Sequence, residues 1–76
     1  MNATTIDRLR AFLEEAIEDE NAALAECAEY FGAAVALDIA DDIRRHREEY
    51  TAIDTRLLRY SQLLDLVHAE AQRVPQ

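Results

Sequence analysis

The clearest pattern in the sequence runs through residues 36–74, ALDIADDIRRHREEYTAIDTRLLRYSQLLDLVHAEAQRV. Apolar positions recur in it at alternating intervals of three and four residues over more than five heptads. One histidine belongs to the repeat, whose members are Ala36, Ile39, Ile43, His46, Tyr50, Ile53, Leu57, Tyr60, Leu64, Val67, Ala71 and Val74. Such a persistent repeat predicts a long α-helix in coiled-coil-like packing, here from about residue 38 to residue 73.

A similar repeat, displaced by two residues, runs through the N-terminal part of the chain and predicts a helix over residues 5–31. Thr4 and Asp7 resemble a capping box at its start. The repeat consists of Ile6, Leu9, Leu13, Ala16, Ala23, Cys27 and Tyr30. Glu20 interrupts it, and we expect its side chain to extend outward to solvent or to pair with an arginine of the second helix, such as Arg47, Arg56 or Arg59. A buried polar residue that fixes helix register is the alternative.

The connection between the two helices is predicted at residues 32–37, because the repeat changes phase near Gly32. Asp38 would then cap the second helix. The second helix would be the longer one and would overhang the first. Thr51, with Asp54 three residues later, resembles another cap and offers an alternative, a break near residue 51 and a three-helix bundle. We favour the continuous helix because the heptad phase passes through this segment unbroken.

Size and charge bound the possible functions. The 76 residues form one all-α domain, residues 1–76, and the single cysteine cannot form an internal disulfide. A hairpin covers only one face of each helix, so we expect a homodimer that forms a four-helix bundle. The net charge of −8 argues against direct nucleic-acid binding and against anionic membranes. No secretory signal is recognisable at the N-terminus, and a cytoplasmic protein is expected.

The second helix carries more apolar side chains than one seam can bury. We therefore predict a non-enzymatic protein–protein interaction module that associates with itself, with a host protein, or with both. The predicted interface consists of Tyr50, Leu57, Leu58, Tyr60, Leu63, Leu66 and Val67.

An acidic face on the first helix supports an alternative function. Residues 5–31 contain eight acidic side chains and two arginines, a net charge of −6. The face is formed by Glu14, Glu15, Glu18 and Asp19. Carboxylates arranged in this way can imitate nucleic-acid phosphates, so the chain would inhibit a host DNA- or RNA-binding protein. A solubilising surface is the simpler interpretation.

The sequence gives little support for a catalytic or metal-binding site. Cys27, His46 and His68 are the possible thiolate and imidazole ligands, and His46 lies three residues before Glu49. Carboxylate-bridged bundle sites need two Glu-x-x-His pairs and several converging carboxylates, and the sequence lacks this pattern. Cys27 lies on the inner stripe, where cysteine usually acts as a small hydrophobic residue. The sequence thus predicts no catalytic residue, cofactor or metal. A small bundle that binds a metal or ligand through His46, Cys27 or His68 is kept as a third hypothesis, after the interaction module and the nucleic-acid mimic.

Two segments resemble a known group of proteins. Residues 6–13, IDRLRAFL, and residues 17–20, IEDE, are similar to the opening of uncharacterised short helical proteins from actinomycetes and their phages. Residues 43–46 and 56–58 are similar to the downstream helix of that family. Arginine supplies every basic side chain, as is typical of high-GC genomes. The resemblance implies a phage or actinobacterial origin, with the host cytoplasm as location, and carries no assigned activity.

Overall fold

The computed structural model describes residues 2–73, which form two helices, α1 (Ala3–Leu37) and α2 (Ala40–Arg73). The helices pack side by side as an antiparallel hairpin with dimensions of 57 × 14 × 12 Å. This confirms the all-α hairpin. The predicted seam residue Val74 lies outside the described residues.

The turn lies at Asp38 and Ile39, so the prediction of a turn at residues 32–37 is wrong. Asp38 adopts the left-handed conformation, with φ 54° and ψ 47°. Its N–H bonds to the carbonyl of Val35 and that of Ile39 bonds to Ala34, each at 3.1 Å, which is the Schellman arrangement. Aspartate tolerates this conformation better than most residues. Asp38 therefore ends α1 instead of capping α2.

Residues 32–37 continue α1 because they contain strong helix formers and only one glycine. Gly32 has a negative φ, and a Cβ placed on it would meet no atom within 4 Å. The apolar character of this segment thus favours helix rather than turn. The two helices have 35 and 34 residues, so the predicted overhang of a longer second helix is also wrong.

Both helices start differently from the predicted caps. The N-cap of α1 is Asn2, whose side chain accepts a hydrogen bond of 2.8 Å from the N–H of Thr5. Thr4 is already inside the helix. α2 starts at Ala40, and the carboxylates of Asp41 and Asp42 lie in its first turn, where they complement the helix dipole.

α2 is continuous through residue 51, which excludes the three-helix alternative for the described residues. The Thr51 hydroxyl donates to the carbonyl of Arg47 at 3.0 Å. That of Thr55 donates to the carbonyl of Thr51 at 2.9 Å. Both side chains therefore bond backward along the helix, whereas an N-cap would accept from a following N–H.

The core between the helices is narrow. Among the described residues, five hydrophobic side chains are buried: Ile6, Leu13, Cys27, Ala34 and Ile53. The other inward positions of α2 between Ile43 and Ala71 are mostly half-buried. The heptad repeat thus correctly predicted which face of each helix turns inward. A single contact face leaves many apolar side chains at the surface.

Candidate functional site

An apolar groove lies where the two helices meet near the chain termini, and we refer to it as the open-end groove. Its volume is about 470 Å³, and it is lined by Leu9, Phe12, Leu13, Leu63, Leu66, Val67 and Glu70. Phe12 is 66% exposed and Leu66 is 67% exposed. Side chains of this size project from a groove wall when no second surface covers them.

The structure brings together only part of the predicted interface. Leu63, Leu66 and Val67 share the open-end groove. Tyr50 lines a different apolar cleft, near the turn, with Ala28, Phe31 and Arg47. Leu58 is exposed outside the residues that line the groove, and Leu57 and Tyr60 are half-buried. The predicted set is therefore divided among separate surfaces.

Three groove residues, Leu9, Phe12 and Leu13, come from α1 and were not in the predicted interface. Leu9 lies on the inward stripe of α1, but it is 36% exposed near the end of the hairpin. Phe12 flanks the same stripe. The width of the apolar stripe on α1 was the signal for Phe12. The position of Phe12 beside Leu63 and Leu66 could not be predicted without knowing the register of the two helices.

The predicted acidic face is exposed along α1. The side chains of Glu14, Glu15, Glu18 and Asp19 all lie at the surface. Phe12 joins this face to the open-end groove, since it also lines a recess with Glu15, Ala16, Asp19 and Glu20. The acidic and apolar surfaces are thus neighbours.

Glu20 pairs with Arg56 across the two helices, as expected for a pairing with an arginine of the second helix. Arg56 Nε donates to Oε1 at 3.0 Å and Nη2 donates to Oε2 at 3.1 Å, so the pair is bidentate. The Glu20 side chain is 19% exposed and that of Arg56 is 46% exposed. The pair therefore gives the polar residue that interrupts the α1 stripe an ionic partner on α2.

A second group of residues, the thiol–imidazole cluster, lies nearer the turn and consists of Cys27, His46 and Glu49. One possible ligand atom from each residue lies within 4.8 Å of those of the other two. His46 Nδ1 is 3.7 Å from Glu49 Oε2. The cluster faces an open cleft that is also lined by Ala23, Glu26 and Tyr30. The Tyr30 ring stacks on the imidazole, with a centroid distance of 5.9 Å and an interplanar angle of 17°.

The cluster combines a protonated thiol with an unsatisfied imidazole nitrogen. Burial raises the pKa of the Cys27 thiol, and the negative charge of Glu49 raises it further. Cys27 Sγ donates to the carbonyl oxygen of His46 at 3.3 Å. Among the described residues, His46 Nδ1 is the buried side-chain nitrogen or oxygen without a hydrogen-bond partner. Burying such an atom is unfavourable.

Sequence reasoning recognised each residue of this cluster separately, but not their convergence. It correctly placed Cys27 inside, since that side chain is 3% exposed. The spacing of His46 and Glu49 was visible. The missing information was that Cys27 of α1 lies opposite them. His68, the other histidine, is exposed and lies outside the cluster.

No protein-family model, curated protein or solved structure matches this chain. Within residues 2–73, neither helix has an apolar stretch long enough to cross a lipid bilayer. The functional argument therefore rests on the surfaces and side chains described above.

Proposed function

We propose that this protein is a non-enzymatic interaction module that associates with a second copy of itself through the open-end groove. The observation that carries the proposal is the exposed apolar surface of that groove. Phe12 and Leu66 project from it, and each leaves about two thirds of its side chain uncovered. Exposed apolar patches rimmed by polar residues are typical of protein interfaces.

The total surface area of the chain is large enough for burial against a second copy. The chain exposes 5830 Å². A compact monomer of the same mass would expose about 4,700 Å² by the usual scaling of surface with mass. The excess of roughly 1,100 Å² exceeds the about 800 Å² that each partner buries in a standard interface. Dimerisation would thus bring the exposed area per chain to that of a compact protein.

The charge distribution favours one arrangement of the two copies. α1 carries eight acidic and two basic residues, a net charge of −6, whereas α2 carries seven acidic and six basic residues, a net charge of −1. Packing α1 of one copy against α2 of the other keeps the two acidic faces apart. In a two-fold dimer the same groove is used by both chains, so Phe12 of each copy packs into the groove of the other.

The test is the oligomeric state of matched variants, measured by sedimentation equilibrium. Leu66→Glu and Phe12→Glu each place a charge in the groove and should convert a dimer into a monomer of unchanged helicity. Leu58→Glu is the control, because Leu58 is 62% exposed on the same helix but does not line the groove.

A monomeric wild-type protein at high micromolar concentration would overturn the proposal. Equal dissociation of Leu58→Glu and Leu66→Glu would also overturn it, since that result would assign association to another surface. The dimer should become tighter as salt is added, because screening reduces repulsion between two chains of net charge −8.

The exposed acidic face supports a second candidate function, imitation of nucleic-acid phosphates. Glu14, Glu15, Glu18 and Asp19 form none of the ion pairs found within residues 2–73. Replacement of all four by glutamine should abolish binding to a nucleic-acid-binding host protein and leave self-association intact. Binding that survives this replacement, or that DNA does not displace, would contradict phosphate imitation.

A further inference from the structure

The thiol–imidazole cluster lies outside the open-end groove and takes no part in the proposed self-association. Its three residue types are all common metal ligands. A thiol, an imidazole and a carboxylate converge from both helices at the side of one open cleft. We propose that Cys27, His46 and Glu49 bind a zinc-like divalent cation, with the fourth coordination position open to water.

The distances suit a small tetrahedral ion. Zinc lies about 2.0–2.3 Å from nitrogen, oxygen and sulfur ligands, so two ligands at a tetrahedral angle are roughly 3.3–3.7 Å apart. His46 Nδ1 and Glu49 Oε2 are already 3.7 Å apart. The three ligand atoms lie within 4.8 Å of one another, so modest side-chain rotations complete the set.

The imidazole is oriented for this role. His46 Nδ1 is buried, and its distance of 3.7 Å from the Glu49 carboxylate exceeds that of a hydrogen bond. A metal ion between the two atoms would satisfy both. Tyr30 stacks on the imidazole and restricts rotation of the ring. The site is thus partly preorganised before an ion binds.

Charge and stoichiometry are consistent with a dication. A thiolate and a carboxylate together supply two negative charges, which neutralise a divalent ion in a partly buried cleft. On binding, the Cys27 thiol releases its proton to solvent and loses its hydrogen bond to the His46 carbonyl. Sulfur forms the new bond to the metal. No oxidation or reduction takes place.

The cleft explains the open fourth position. The side chains of Ala23 and Glu26 line it beside the cluster, and it opens to solvent. The small side chain of Ala23 leaves room in this cleft, and three protein ligands with a water molecule are the usual arrangement at open zinc sites. Residues of the open-end groove do not take part, so zinc should bind equally to wild type and Leu66→Glu.

The test is titration of the 76-residue chain with ZnCl₂ by calorimetry and with CoCl₂ by absorption spectroscopy. We expect one ion per chain, release of about one proton from the thiol, and a sulfur-to-cobalt charge-transfer band. Cys27→Ala should remove the band. Loss of a ligand in Glu49→Gln should weaken zinc binding by more than the about 10- to 100-fold typical of lost outer-shell partners.

Two matched controls separate the cluster from general binding to acidic groups. Glu48→Gln removes the neighbouring carboxylate, and His68→Asn removes the other histidine, which lies three residues after Asp65. Both variants should bind zinc as wild type does. The Glu49 side chain is 57% exposed, so Glu49→Gln should keep its helicity even if Cys27→Ala does not fold.

The proposal would be overturned by cobalt binding without a thiolate band. It would equally be overturned if Glu49→Gln bound zinc as wild type does, or if Glu48→Gln and His68→Asn lost as much affinity as Glu49→Gln. Absence of zinc binding to the folded wild-type chain would overturn it directly.

Discussion

The half of the hairpin near the chain termini (the open-end half) and the half near the turn fill the space between α1 and α2 with different side chains. In the open-end half, α1 buries Ile6 and Leu13, whereas in the half near the turn it buries Cys27 and Ala34. Large aliphatic side chains provide more packing energy than small ones. The small residues leave room for the half-buried imidazole of His46. On α1 the large buried side chains thus lie in the open-end half and the small ones near the turn, where Ile53 of α2 is the large buried side chain.

The surfaces of the two halves differ in the same way. The open-end groove is apolar except for Glu70, whereas the half near the turn has, besides the apolar cleft at Tyr50, a cleft that contains a thiol, an imidazole and carboxylates. The bidentate Glu20–Arg56 pair lies between them. One continuous heptad pattern thus supports two surfaces of different chemistry.

The largest expected effect is that of a cavity in the open-end half. Leu13 is 6% exposed, and Leu13→Ala should lower the free energy of unfolding by roughly 2–5 kcal/mol. A loss of this size is comparable with the whole stability of a domain this small. Circular dichroism should show reduced helicity at room temperature. Cys27→Ala should cost less, and a larger effect of Cys27→Ala would reverse the comparison.

A stabilising change is expected in the half near the turn. Gly32 lies inside α1 with open space around its Cα, so Gly32→Ala should raise the free energy of unfolding by about 1 kcal/mol. Thermal unfolding measures this as an increase in the melting temperature. If Gly32 were part of the turn, as the sequence predicted, the substitution would lower stability instead.

The Glu20–Arg56 pair at the boundary between the halves should contribute less to the stability of the fold. Glu20→Gln removes the bidentate partner of Arg56 and should lower the melting temperature by less than Gly32→Ala raises it, because Arg56 is 46% exposed. A double-mutant cycle with Arg56→Gln should show coupling that weakens with added salt. Strictly additive effects would indicate that the pair does not fix the register.

The smallest expected effect tests the continuity of α2. Thr51→Ala should stabilise the protein by up to about 0.7 kcal/mol, because alanine has the higher helix propensity. The Thr51 hydroxyl bonds only backward, to Arg47. An N-cap at this position would give the opposite sign, a loss of about 0.5–2 kcal/mol. Denaturant unfolding of the two proteins distinguishes these outcomes.

Particular residues show how far the sequence predicted the structure. The inward positions Leu13, Cys27 and Ile53 follow from periodicity alone, because a helix places every third or fourth residue on one face. The position of the turn could not be predicted in this way, because it depends on the left-handed conformation of Asp38. An aspartate before a helix predicts an N-cap equally well. The turn was therefore predicted at residues 32–37, near Gly32, and Asp38 was predicted to cap the second helix.

The position of the turn then decides which residues face each other. A hairpin folded about residues 34 and 35 would place Cys27 opposite Asp42 and Glu20 opposite Glu49. The turn at Asp38 and Ile39 shifts the register, so Glu20 pairs with Arg56 and Cys27 lies beside His46. Neither the open-end groove nor the thiol–imidazole cluster was therefore assembled correctly from the sequence.

The sequence was sufficient to predict long amphipathic helices, the faces that turn inward, and the strong negative charge of α1. These properties depend on local spacing and composition. The folded hairpin was needed to show the helix register, the division of the predicted interface, and the convergence of Cys27, His46 and Glu49. Contacts between the helices depend on the conformation of two residues at the turn, and that conformation shifts every pair along the hairpin.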